Sequence, residues 1–275
     1  MTSIDSSTLN RNLIDEKSHG FHEGSSIRKR NSIYYLIYTD ISRGKATCLS
    51  YATSTSPLGP FVKGGVIIDN TGCDINTWNN HGSIIEFKGQ WYVFYHRSSQ
   101  GTVYSRRACV EPIHFNDDGS INEVEMTTQG PAGPIPATRK MDAYRACLLS
   151  GRTIRTAVAE LTETNTTIGE YLSHIQGGNW AAFKHLDFGE GVTSFEAKVA
   201  SLAEGGEVEV RLDRPDGALI GTVIVPHTGG WQLWETVKGS VQRTTGIHAV
   251  YLVFTPTKAR GSNRLMSIES FQFRR

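Results

Sequence analysis

The chain has 275 residues, 38% of them hydrophobic and 20% charged, a composition that suits a folded protein of one large or two ordinary domains. Its 28 Lys and Arg oppose 27 Asp and Glu for a formal net charge of +1, so no global basic field favours nucleic acid as a partner. No apolar run approaches the ~20 residues of a membrane helix. Cys48, Cys73, Cys109 and Cys147 form no C-x-x-C pair, which argues against a structural zinc site.

The opening stretch, MTSIDSSTLNRNLIDEK, is polar and lacks the apolar centre of a signal peptide. Two strand-like units follow that echo one another. In the first, HEGSSIRKRNSIYYLIYTD (His22 to Asp40) precedes ATCLSYATS and FVKGGVIID. In the second, NHGSIIEFKGQWYVFYHR (Asn80 to Arg97) precedes TVYSRRACVEPIHF and SINEVEMTT, the last two joined by an NDDG turn. Aligning Ile27 with Ile84 lays Tyr34–Tyr38 on Trp91–Tyr95 at a constant offset, 84 − 27 = 57. The turns KRNS and FKGQ carry Asn and Gly where a tight hairpin needs them. Four antiparallel strands repeated at such a period predict β-propeller blades, although a two-sheet sandwich also accepts these strands. In the second strand of the first unit Tyr34, Leu36 and Tyr38 alternate with Tyr35 and Ile37, so both faces are apolar, as between stacked layers.

In a propeller the first strand of each blade lines the central channel. That places Glu23 and the pair Asn80–His81 at one mouth, and makes Glu23 a site candidate rather than one more solvated carboxylate at a strand start. His81 is either a hydrogen-bonded structural residue or a channel-facing one.

FHEGSSIRKRNSIYYLIYTD resembles the blade of glycoside hydrolase family 43 that carries the general acid in an F-x-E-[GA]-[SP]-S-I-x-K setting. NNHGSIIEFKGQWYVFYHR and RRACVEPIHFNDDGSI resemble the segments that follow it. The resemblance implies a five-bladed propeller with arabinofuranosidase or xylosidase activity of the inverting type. It implies Glu23 as general acid and His81 near a bound cation or water; Arg97, Arg106 and Arg107 read either as surface arginines on outer strands or as holding sugar hydroxyls or a substrate oxygen, Arg107 being the candidate substrate ligand. An inverting glycosidase pairs a protonated carboxyl with an ionised one ~6.5–9.5 Å away, and the acid's pKa must be raised. The family's base and its tuning Asp lie on blades that precede the acid blade. Only 22 residues precede Glu23, so the first half is expected to be a partial, N-terminally truncated propeller without its base.

TTQGPAGPIPATRK (Thr127–Lys140), with three prolines and two glycines, reads as the boundary, with residues 131–140 as linker. Past it, short alternating strands predict a β-sandwich over 141–275: TSFEAKVA with Phe195, Ala197 and Val199 inward, EVEVRLD with Val208, Val210 and Leu212 inward, then LIGTVIVP, WQLWETV, HAVYLVF and SIESFQF. GGNWAAFKHLDFGEGVTSFEAKVAS and its continuation resemble carbohydrate-binding module family 6, a jelly-roll sandwich that binds xylan-type glucans between aromatic side chains. The resemblance makes Trp231 the stacking platform, puts His174 where the family has a Tyr, and makes Asn263 a hydroxyl ligand. Trp231 also reads as a buried core residue of a structural sandwich. Of the module's acidic calcium ligands only Asp142 remains.

These readings together describe an all-β hemicellulose-degrading glycosidase acting on arabinoxylan, xylan or arabinan. No cofactor is required, and calcium is the cation expected if one is held at His81. The alternatives are a binding protein without catalysis and an inactive truncated product. A secreted location is implied by the resemblance, and neither nucleic acid nor a membrane is an expected partner.

Overall fold

The computed structural model describes residues 13–161, 169–257 and 264–275. Backbone contacts divide them into two compact units. The first holds the described residues through Thr71 together with Trp78–Arg97 and Arg107–Met126. The second holds Gly72–Thr77, Ser98–Arg106 and Thr127–Arg275.

The first unit begins with a one-turn helix, α1 (Glu16–His19), capped by the Asp15 side chain on the Ser18 N–H at 2.8 Å and ended by Gly20 at φ 74°. Four antiparallel strands follow in chain order: β1 (Phe21–Arg30), β2 (Ile33–Asp40), β3 (Cys48–Ser54) and β4 (Val62–Asp69). Asn31 at φ 54° turns β1 into β2. A second sheet, β5 (Ser83–Phe87), β6 (Gln90–Ser99) and β7 (Thr102–Ile113), repeats the arrangement, with Lys88 and Gly89 both at positive φ in the β5–β6 turn. Two consecutive left-handed residues match the right-handed twist of the flanking strands. Tyr35, Ile37 and Tyr38 are fully buried, so β2 is covered on both faces as its sequence indicates.

The expected fourth strand of the second sheet does not form. SINEVEMTT makes one bridge, Phe115 to Ile121, and then leaves the sheet. The Val124 N–H donates to the Ile67 carbonyl of β4 at 2.8 Å, and Arg43 holds Glu123 through two 2.8 Å bonds. A bidentate guanidinium–carboxylate pair and a main-chain bond to the first sheet displace a period-2 pattern that rests on few apolar residues.

The second unit is the sandwich. Its short strands β8 (Ile135–Pro136), β9 (Met141–Asp142), β10 (Leu148–Leu149) and β11 (Arg155–Val158) precede β12 (Glu170–Ile175), β13 (Trp180–Asp187), β14 (Val192–Ala200), β15 (Gly206–Leu212), β16 (Leu219–Val225), β17 (Glu235–Thr244), β18 (Ile247–Thr255) and β19 (Met266–Arg274). One layer runs β10-β13-β18-β15-β16 and the other β17-β14-β19-β12-β11, joined at the single pair Gly221–Val241. Phe195, Ala197, Val199, Val208 and Val210 point inward as their alternation requires, and Leu212 packs at the edge of the same core. Phe183, Phe271 and Phe273 complete it, with Phe183 edge-on to Phe271 at 4.7 Å.

Two expectations are corrected here. WQLWETV is not a strand from Trp231: β17 starts at Glu235, because Gly229 at φ 89° turns the chain and Trp234 leaves the alternation to meet Tyr171 edge-on at 5.3 Å. β12 and β13 also lie outside the expected strands; they contribute Leu172, Ile175, Ala181, Phe183 and Leu186 to the core. Ile135–Pro136 pairs in parallel with β13, and the Ala137 N–H donates to the Asp187 carbonyl at 2.7 Å.

Candidate functional site

Glu23 stands in an irregular part of β1. Cross-strand partners run Phe21 to Asp40, Glu23 to Thr39 and Ser26 to Ile37, so five steps on β1 oppose three on β2. Such a bulge re-aims a side chain out of the regular alternation. Gly24 makes it possible: its φ is 57°, and an added Cβ would lie 2.6 Å from the His81 Cδ2. The backbone at Gly24 thus packs directly under the imidazole that contacts Glu23.

That imidazole is held from the other sheet's side of the unit. The loop before β5 is fixed by Asn80, fully buried, whose Nδ2 donates to the Thr47 carbonyl at 2.9 Å and whose carbonyl accepts from the Thr39 hydroxyl at 2.7 Å. Asn70 braces it further, with Nδ2 donating to the carbonyls of Asn79 at 3.0 Å and His96 at 2.8 Å. Gly82 is forced by close approach, since a Cβ there would fall 2.1 Å from the Phe94 carbonyl oxygen.

The side chains then order themselves. The His81 backbone N–H donates to His96 Nδ1 at 3.2 Å, so the proton of a neutral His96 is on Nε2, which lies 3.1 Å from Asn79 Oδ1. That contact turns the Asn79 amide nitrogen toward Glu23 Oε1, 3.4 Å away. His81 Nε2 reaches the same oxygen at 3.1 Å. The two imidazoles meet edge to face at 5.6 Å. Burial pulls the Glu23 pKa upward, but the hydrogen bonds from His81 and Asn79 and the charges of His81 and His22 outweigh it, leaving it below the ordinary value. The half-exposed carboxyl is therefore ionised at neutral pH, the opposite of the raised pKa a general acid needs.

Sequence reasoning singled out Glu23 and His81 but not Asn79 or His96. Their signals were present, NNHGS and YHR at the matching ends of two adjacent strands, yet only the fold shows that they meet. Arg107 lies on β7, the outer strand of its sheet.

The cluster consists of two imidazoles, His81 and His96, one amide, Asn79, and one carboxylate, Glu23, whereas calcium is held by oxygen ligands. Among the described residues no group of three or more His, Cys, Asp and Glu is arranged to hold a metal ion.

In the sandwich unit a cleft of about 590 Å³ is lined by Tyr171, Ser173, His174, Trp231, Gln232 and Arg264, among others. Trp231 and His174, the pair implied by the resemblance, both line this cleft, while Asn263 lies outside the described residues. Arg264 Cζ sits 3.9 Å from the centroid of the Trp231 ring, and Nη2 donates to the hydroxyls of Ser173 at 2.9 Å and Ser267 at 3.0 Å. Arg155 Nη2 approaches His174 Nε2 at 2.8 Å, and Ser173 Oγ lies 2.9 Å from its Nδ1. Burial, and after it the charges of Arg155 and Arg264, push the His174 pKa down, so the ring is a neutral acceptor of the Arg155 hydrogen bond.

Residues 2–121 match the family model of glycosyl hydrolases family 43, and residues 152–275 match carbohydrate binding module family 6. A xylosidase/arabinosidase of Thermoclostridium stercorarium is 33% identical over 281 residues, covering 93% of this chain and 56% of its own length. An arabinoxylan arabinofuranohydrolase of Bacillus subtilis is 34% identical over 270 residues, covering 91% of this chain and 51% of its own. A crystal structure of a family 43 arabinoxylan arabinofuranohydrolase from Bacillus subtilis, in complex with cellotetraose, is 33% identical with a TM-score of 0.54, over 93% of this chain and 54% of that one. The chain thus spans about half the length of the curated relatives it matches.

Proposed function

Since the chain belongs to glycosyl hydrolases family 43 in its first part and to carbohydrate binding module family 6 in its second, we propose that it works in hydrolysis of hemicellulose, removing arabinofuranosyl or xylosyl groups with Glu23 as general acid. The observation that carries this reading is the family 43 match over residues 2–121, which includes Glu23 in a bulge of β1, on a stretch that resembles the family's acid blade.

In the resting arrangement the two donors stabilise the carboxylate. To protonate a leaving oxygen, Glu23 must take up a proton, which requires that these donors give way or that a second carboxylate raise its pKa from close by. Among the described residues the side-chain partners of Glu23 are His81 and Asn79. The base of an inverting reaction, ~6.5–9.5 Å from the acid, is proposed to come from the part of the relatives that this chain does not span. The cleft of the second unit would hold the polysaccharide on Trp231 and His174, with secretion following from such a substrate.

The test is hydrolysis of arabinoxylan by this chain joined to the part of the Bacillus subtilis relative that it does not span. Glu23→Gln is expected to lower the rate on poor leaving groups by ~10²–10⁴-fold and to spare activated aryl glycosides. An equal loss on both substrate classes would overturn the acid assignment. The ionised resting state of Glu23 favours a second reading, binding without catalysis, for which Glu23→Gln would leave polysaccharide binding unchanged and no hydrolysis would be found in either chain.

A further inference from the structure

The aromatic face on which a sugar is expected to stack already carries a cation. Arg264 Cζ lies over the Trp231 ring, 3.9 Å from its centroid, and the guanidinium is held there by donating to Ser173 and Ser267. Behind these residues a second guanidinium, Arg155, donates to His174 Nε2 at 2.8 Å. The stacking partner expected of the family is thus replaced by an imidazole whose acceptor nitrogen is engaged by Arg155. A neutral pyranose that stacked on this face of Trp231 would displace Arg264 from its cation–π contact and from two hydroxyl acceptors. A sugar bearing a carboxylate gains a charge-assisted bond to the guanidinium in return, which a neutral sugar does not. It meets a cation already positioned over the ring, whose charge favours a carboxylate oxygen over a neutral hydroxyl. Glu160 is the acidic member of the described lining. Opposite charges in one cleft orient a ligand with a single carboxylate rather than admit any anion.

We propose that this cleft selects xylan-type chains carrying a uronate side group, with Arg264 as the residue that reads the charge. The inference rests on the reading of the cleft as a polysaccharide site, and narrows it from neutral to acidic ligands.

Calorimetric titration of the whole chain with two probes tests it: xylotetraose, and xylotetraose bearing one glucuronate. At low salt the acidic probe should bind at least about tenfold more tightly, as expected for one added hydrogen bond between charged groups. Raising the salt to about 0.5 M should erode that advantage while leaving the neutral probe unaffected. Arg264→Met should abolish the preference and leave neutral binding equal or stronger, because the ring face opens. Arg264→Lys, which keeps the charge but loses the planar fork, should retain only part of it. Equal affinity for the two probes in the unaltered chain, or a preference that survives Arg264→Met, would overturn the proposal. If Arg264→Met failed to fold, the pair of probes and their salt dependence would decide alone. Binding of neither probe would overturn the polysaccharide reading of the cleft as well, so the two failures are told apart.

Discussion

At Gly24 one missing Cβ supports the whole Glu23 arrangement. The residue sits at φ 57° and its absent side chain would occupy the place of the His81 ring. Gly24→Ala should cost about 1–2 kcal/mol for the left-handed backbone alone, and more through displacement of His81. Urea unfolding should show the loss, and hydrolysis by the joined enzyme should fall with it; a Gly24→Ala protein with unchanged stability would mean that the bulge relaxes. The same site shows what a single residue can do to a pKa. Glu23 is partly buried, which by itself favours the neutral acid, yet two donors on one oxygen reverse the sign.

Single elements are tied down by specific side chains rather than by strand pairing alone. Arg43 joins Asp69, at the end of β4, to Glu123, in the segment that failed to become a strand. Burial raises the Asp69 pKa, but hydrogen bonds from Thr71, Thr47 and Arg43 more than offset it, so the folded value lies below the ordinary 3.8. A carboxylate whose folded pKa is depressed contributes stability that is fully present above the unfolded pKa and is lost as pH falls through the folded one. Thermal melts should therefore be flat from neutrality down to about pH 4, then fall steeply below it. Arg43→Ala should melt lower at pH 7 and lose less on acidification. Parallel curves for the two proteins would exclude this network as a source of acid sensitivity. A second case is the Pro- and Gly-containing stretch before the sandwich. Ile135 and Ala137 are buried, Ala137 donates to Asp187, and the Phe273 N–H donates to the Ala137 carbonyl at 3.1 Å. A fragment that starts at Thr127 should accordingly melt several degrees above one that starts at Thr138, since burying a side chain such as Ile135 contributes about 1.5–3 kcal/mol. Coincident melts would show that these residues add nothing.

Across the whole molecule, what the sequence could determine was local and periodic. Alternation placed Phe195, Val199, Val208 and Val210 in a sandwich core, and the doubled YYLIY and WYVFY runs marked two blade-like sheets, because burial of one or both faces must be written into every second residue. The chemistry-bearing residue types were also legible, Glu23 and His81 in one half, His174 and Trp231 in the other. The assignments that failed depended on long-range partners. SINEVEMTT has strand-like alternation, but Arg43 and Ile67, 80 and 57 positions earlier, determine where it goes. Gly72–Thr77 and Ser98–Arg106 pack with the sandwich unit although they lie among the residues of the two sheets, and no composition shift announces that. The ionisation of Glu23 depends on two donors more than fifty residues away, and the occupant of the Trp231 face is an arginine 33 positions further on. Propensity and period act between near neighbours in the chain. Electrostatic fields, hydrogen-bond direction and the filling of a ring face act between neighbours in space, and only the tertiary structure sets those.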